Sequence, residues 1–211
     1  MELYVISGNL SHQGQITSYE YLAEILTGLS IPYRVMVGNH AIRANLLSVL
    51  ADVPTDPNEF IQSSVDHDFR RLSFLDTVAE GKKFGCFCED RAEWLADKLA
   101  ASGDRPVYLF LHHPPPDIGV PNVDHMRLIH GNELLARTRV PYNNVQHMFF
   151  DRVHRPTAGN WNGISFSSRH GTAHQVALTS TETPLLVRSH EPPVYGADRG
   201  RHSDTVSRSP A

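Results

Sequence analysis

Four short apolar segments of the 211-residue sequence run directly into polar turns: Ser7-Gly8-Asn9, Gly38-Asn39-His40, His112-His113-Pro114-Pro115 and Asp151-Arg152-Val153-His154. Neutral imidazole and oxygen donors brought together from several strand ends are what a divalent transition metal needs, and a metal pair there polarises a phosphoryl oxygen and generates hydroxide. Taken singly, each turn is a weak signal. His before Pro is ordinary loop chemistry, and Gly-Asn-His also fits a turn in which Asn adopts a left-handed conformation and His caps a helix. Their meaning depends on whether the fold brings them together.

The elements around them read as α/β. A strand over 2–7 is followed by a helix in "TSYEYLAEILTGL", where Tyr21, Leu22, Ile25, Leu26 and Leu29 share a face, and Pro32 leads into a strand at Tyr33 to Val37. Ile42 to Leu50 reads as helical, and 52–64 as a loop with at most a short helix. "RRLSFLDT" at 70–77 alternates like a strand, "EDRAEWLADKLAAS" is a helix with Trp94, Leu95, Lys98 and Leu99 on one stripe, and "RPVYLFL" at 105–111 is a buried strand. The spacing predicts a further helix over 124–138 and strands at 145–150, 163–168, 174–178 and 184–189. In a parallel sheet the carboxyl ends of the strands lie on one edge, where ligands bind. One domain over 1–190 is expected, with a Pro-, Gly-, Arg- and Ser-rich tail at 191–211 too poor in apolar residues to pack.

Composition narrows the function. Nineteen Lys and Arg against 23 Asp and Glu give a net charge of −4, so no basic field attracts a nucleic-acid polymer or an anionic membrane. Cys86 and Cys88 are the only cysteines, too close together for an ordinary structural disulfide, which points to a reducing, cytoplasmic setting. The N-terminus lacks the basic and apolar regions of a leader, and no window approaches the ~20 apolar residues of a membrane span.

The ordered segments resemble the calcineurin-like metallophosphoesterases, in particular the branch of class III cyclic-nucleotide and glycerophosphodiester phosphodiesterases. "VISGNLSHQGQITSYEYLAEILTGLSIPYRVMVGNHAIR" is similar to the family's Gly-Asp-Leu, helix and Gly-Asn-His-Asp stretch, "RRLSFLDTVAEGKKFGCFCEDRAEWLADKLA" to its Leu-Asp strand and Trp-Leu helix, and "VYLFLHHPPPDIGVPNVD" to its His-His-Pro-Pro segment. "VHRPTAGNWNGISFSSRHGTAHQVAL" is similar to its Gly-His-x-His segment and the strands that follow. The resemblance implies a four-layer αββα sandwich of two mixed sheets flanked by helices, lacking the family's first strand. It also implies a divalent metal pair (Mn, Fe, Zn or Co), a small phosphodiester substrate hydrolysed by metal-activated hydroxide, and homo-oligomerisation as one option. Carried over by position, Asn39, His112 and His154 are the expected metal ligands and His40 the residue facing the phosphoester. His113 is expected to orient its loop or touch substrate.

The chain also departs from the family pattern. No Asp-x-His precedes Gly8, Asn9 stands where a bridging Asp is expected, Asp151-Arg152 replaces Gly-His, and Ala41 follows Gly-Asn-His. An arginine never ligates a metal, and the three surviving ligands are all neutral. Losing even the outer partners of a metal site costs ~10–100-fold, so turnover is expected to be impaired. The alternative is a non-catalytic relative that binds a phosphate or nucleotide ligand, or a protein partner. His12, His67, His125, His130, His147, His170 and His202 match no ligand position and are expected at the surface; His174 has no assigned role.

Overall fold

A computed structural model of the chain describes residues 2–67 and 69–171, with two further strand fragments, Gln175–Val176 and Leu186–Val187. In chain order the elements are β1 (Tyr4–Ile6), α1 (Ile16–Thr27), β2 (Tyr33–Val35), α2 (Arg43–Val49), β3 (Ser63–His67), β4 (Arg70–Leu75) and β5 (Gly85–Cys86). They continue with α3 (Glu89–Ala100), β6 (Val107–Leu111), α4 (Pro121–Asp124), β7 (Leu128–His130), α5 (Asn132–Arg139), β8 (Val145–Phe150), β9 (Thr157–Trp161) and β10 (Ile164–Ser168). The fragments β11 (Gln175–Val176) and β12 (Leu186–Val187) pair antiparallel; the expected tail at 191–211 lies outside the described residues.

The main sheet has six strands in the order β3-β4-β6-β8-β10-β9. Its four inner strands are parallel, and β3 and β9 close the two edges antiparallel. β1 and β2 form a separate parallel pair. Helices lie against the sheets, giving an α/β architecture.

Two apolar clusters hold these layers. On β6, Val107, Leu109 and Leu111 point inward with no exposed surface and meet Met148 and Phe150 of β8, Leu95 and Leu99 of α3, and Leu135 of α5. Each such side chain contributes roughly 1.5–3 kcal/mol by leaving water. The opposite side of the sheet carries a ladder of stacked rings, Phe74 on Phe110 at 5.0 Å and Phe110 on Phe149 at 4.8 Å. The second cluster, with Tyr19, Leu26, Val35, Val37, Leu46 and Val78, fastens α1 and α2 around β2. α3 forms where expected: Glu89 and Asp90 sit in its first turn and Lys98 in its last, matching the helix dipole, and Ala92, Leu95 and Leu99 are buried.

Three expectations need correction. The helix predicted over 124–138 is two short helices separated by β7, because Leu128 is wholly buried in a strand that pairs with β5 and Gly131 takes φ +90°, which ends any continuous helix. The loop placed at 52–64 ends two residues early: Ser63 already pairs with Phe74. The strand β9 was not expected, although Asn162-Gly163 between β9 and β10 is a two-residue hairpin signal, with Asn162 at φ 48°.

Gly131 gives the first prediction. A Cβ there would overlap the Phe87 carbonyl oxygen, so Gly131→Ala combines a backbone clash with a left-handed φ. Urea unfolding should show a loss of about 3 kcal/mol or more; a change within experimental error would contradict this account of the break.

Candidate active site at the strand ends

The carboxyl ends of β1, β2, β4, β6 and β8 converge, and the four polar turns read from the sequence meet there. Gly38 lies so close to the first turn that a Cβ would run into the Asn9 side-chain oxygen and, at 2.8 Å, the Gly8 backbone. Its glycine therefore serves close approach between the two loops. The backbone N–H of Arg152 donates to the His112 carbonyl at 3.1 Å, joining the ends of β8 and β6.

At the centre His112 is wholly buried. Its Nδ1 lies 2.6 Å from Asp151 Oδ1, and its Nε2 lies 3.1 Å from Asn39 Oδ1. A carboxylate accepts only, so Nδ1 donates to Asp151, and Nε2 makes its own hydrogen bond with the Asn39 side-chain amide. Asp151 is the residue the motif reading missed: it was passed over as part of a displaced Gly-His pair, and only the fold shows that its carboxylate orients His112. Asp151 Oδ2 and Asn9 Oδ1 are buried and have no hydrogen-bond partner.

Two cationic or ionisable groups face this centre. Arg152 is buried, with its Nη2 donating to Met126 Sδ at 2.7 Å and its Nε unpaired. Burial pushes its pKa down, against which Asp151 acts. His40 is half-buried, and burial lowers its pKa; the His12 carbonyl opposes this, while the charges of His12, Arg152 and His112 add to it. His12, expected at the surface as an unrelated residue, is indeed exposed but stacks on His40.

His113 and His154 flank this centre, His113 with its ring 4.7 Å from that of His112 between centroids. His113 has no exposed surface; its Nδ1 lies 2.8 Å from Thr77 Oγ1 and its ring packs over Gly85, so it orients the loop and offers no open face to a substrate. Burial, then the charges of His112 and Arg152, hold its pKa well below the usual histidine range. His154 shares the loop after β8, in a left-handed conformation at φ 52°, with its N–H donating to the Asp151 carbonyl.

A metal pair needs more donors than these turns bring together. Among the described residues no three His, Cys, Asp or Glu side chains are grouped to hold a metal ion. Asn39 and His112 converge, with the orphan oxygens of Asn9 and Asp151 near their loops, but the remaining strand-end charge is the Arg152 guanidinium, which repels a dication. Among the described residues, the groups brought together here do not make up the donor set of a metal pair.

A second brace holds the loops. Arg43, at the start of α2, meets the fully buried Asp76 through Nε at 2.7 Å and Nη2 at 2.8 Å, while Asp76 also accepts from the N–H groups of Ile61 and Val78. This fixes α2, and with it Asn39 and His40, against the end of β4. The adjacent Thr77 is the partner of His113, so both loops are set from one turn.

Comparison with known proteins places this fold and site. No family model matches the chain. A probable cyclic nucleotide phosphodiesterase of Rhodopseudomonas palustris is 38% identical over 197 residues, covering 90% of this chain and 70% of the relative. A probable glycerophosphodiester phosphodiesterase GpdQ of Arcobacter nitrofigilis is 31% identical over 193 residues, covering 91% and 71%. Among solved structures, a dimetal phosphatase from Danio rerio shares the fold at a TM-score of 0.65 and 15% identity, over 81% of this chain and 73% of that one. The fold is thus that of the metallophosphoesterase superfamily. Within it, the chain belongs to the cyclic-nucleotide and glycerophosphodiester phosphodiesterase family.

The two braces differ in depth, and unfolding should rank them. Arg43→Ala strands the buried Asp76 carboxylate and should cost about 3–5 kcal/mol. Asp151→Ala leaves the His112 ring without its acceptor and should cost about 1–3 kcal/mol, since the Asp151 side chain is 23% exposed. Denaturant unfolding giving the reverse order would contradict this assignment.

Proposed function

We propose that the strand-end cluster binds a small phosphodiester of the cyclic-nucleotide or glycerophosphodiester type and hydrolyses it slowly. The observation that carries this reading is the convergence of Asn39, His112 and Asp151 in one hydrogen-bonded chain, beside Arg152 and His40. The names of the relatives support the substrate class.

Each residue has a distinct task. The Arg152 guanidinium supplies fixed positive charge for the phosphate oxygens, since charge-assisted hydrogen bonds are about twice as strong as neutral ones. His40 is half-buried, with burial lowering its pKa, and in this reading presents a ring nitrogen to a phosphoester oxygen. Asp151 orients the His112 ring, and the ring in turn fixes the Asn39 side chain through its Nε2. Without the negative donors of a metal pair the nucleophile is weakly activated, and the rate is low.

A second reading, ligand binding without turnover, is favoured by Arg152 itself, a buried cation whose Nε has no partner. The free thiols Cys86 and Cys88 support a cytoplasmic setting; among the described residues no helix is long and apolar enough to cross a membrane.

Hydrolysis of bis(p-nitrophenyl) phosphate, with manganese added, separates the two readings. A slow rate that falls about tenfold or more in His112→Ala supports hydrolysis. Equal rates in the wild type and His112→Ala overturn it and leave binding.

A further inference from the structure

We infer that His12 is a positioning residue for His40, holding that imidazole beside the strand-end cluster by ring stacking. The inference rests on the phosphodiester reading for its functional meaning, while its geometry stands independently.

The two rings lie 5.2 Å apart between centroids and 25° from parallel. An exposed side chain at a loop tip has no reason to hold one orientation unless its loop is rigid, and this loop is fastened at several points. Leu10 N–H donates to the Gly8 carbonyl at 3.0 Å, and Ser11 Oγ, itself buried, accepts from the N–H groups of Gln13 at 3.4 Å and Gln15 at 3.1 Å. Asn45 Nδ2 donates to the Gly14 carbonyl at 2.8 Å. Asn45 belongs to α2, the helix that directly follows Gly-Asn-His, so the two stacked rings are mounted on segments bonded to each other.

His12 is unlike the buried histidines of the site. It is exposed, it makes no bond to His112 or Asp151 among the described contacts, and its replacement removes no core packing. Its effect therefore passes through His40, and stacking can be separated from proton chemistry by substitution.

The test uses the full chain labelled with nitrogen-15. Ring-nitrogen shifts of His40, assigned by their loss in His40→Gln, are compared in the wild type, His12→Ala and His12→Phe, alongside the affinity for bis(p-nitrophenyl) phosphate measured by calorimetry. His12→Ala should move the His40 ring-nitrogen shifts and weaken binding about threefold to tenfold, the worth of one aromatic pair, with melting temperature unchanged. His12→Phe, which keeps the stack and lacks the nitrogens, should restore both readouts. Unchanged His40 shifts and affinity in His12→Ala would overturn the inference, as would failure of His12→Phe to restore either. If the wild type binds no phosphodiester while the His40 shifts still follow residue 12, the positioning role stands and the proposed function falls.

Discussion

One hydrogen-bonded chain, Asp151 to His112 to Asn39, ties the ends of β8, β6 and β2 into a single surface. His112 has no exposed area, so its two ring nitrogens must find partners inside the protein or cost the full penalty of a buried polar group. The carboxylate on one side and the Asn39 side-chain amide on the other supply those two partners. The remaining features serve to keep these three strand ends in register. Parallel pairing of β4, β6, β8 and β10 delivers the loops to one edge, the close contact at Gly38 lets the first two loops touch, and the Arg43–Asp76 pair locks the third against α2.

Much of this was legible in the sequence because the informative residues lie at strand ends, where apolar runs stop abruptly. Gly-Asn-His and His-His-Pro-Pro could be placed on one edge from alternation and α/β order alone. The orienting role of Asp151 could not, since it depends on strand β8 lying beside β6, a long-range pairing that leaves no local mark. His12 was illegible for a related reason: an exposed histidine in a polar loop looks the same whether or not a second ring lies beneath it. The broken helix at 124–138 shows the limit of periodicity, because Leu128 satisfies a helical stripe on paper but is wholly buried as a strand residue beside Gly85. The Asn-Gly pair before β10 was a signal in plain view.

Family membership and the chemistry of this particular site pull in different directions, and electrostatics decides between them. The relatives are named as phosphodiesterases, and the chain shares their order of segments. Yet the donors its strand ends assemble are an amide, an imidazole and one carboxylate already bonded to that imidazole, with a buried guanidinium beside them. In the proposed reading, the guanidinium favours a phosphate anion over a dication.

The most direct measurement of this claim is calorimetric titration of the chelator-treated protein with inorganic phosphate, in the wild type and in Arg152→Ala. The account predicts binding that persists in EDTA and is lost in Arg152→Ala. Binding that appears only when manganese is added, at close to two ions per chain by elemental analysis, would contradict it.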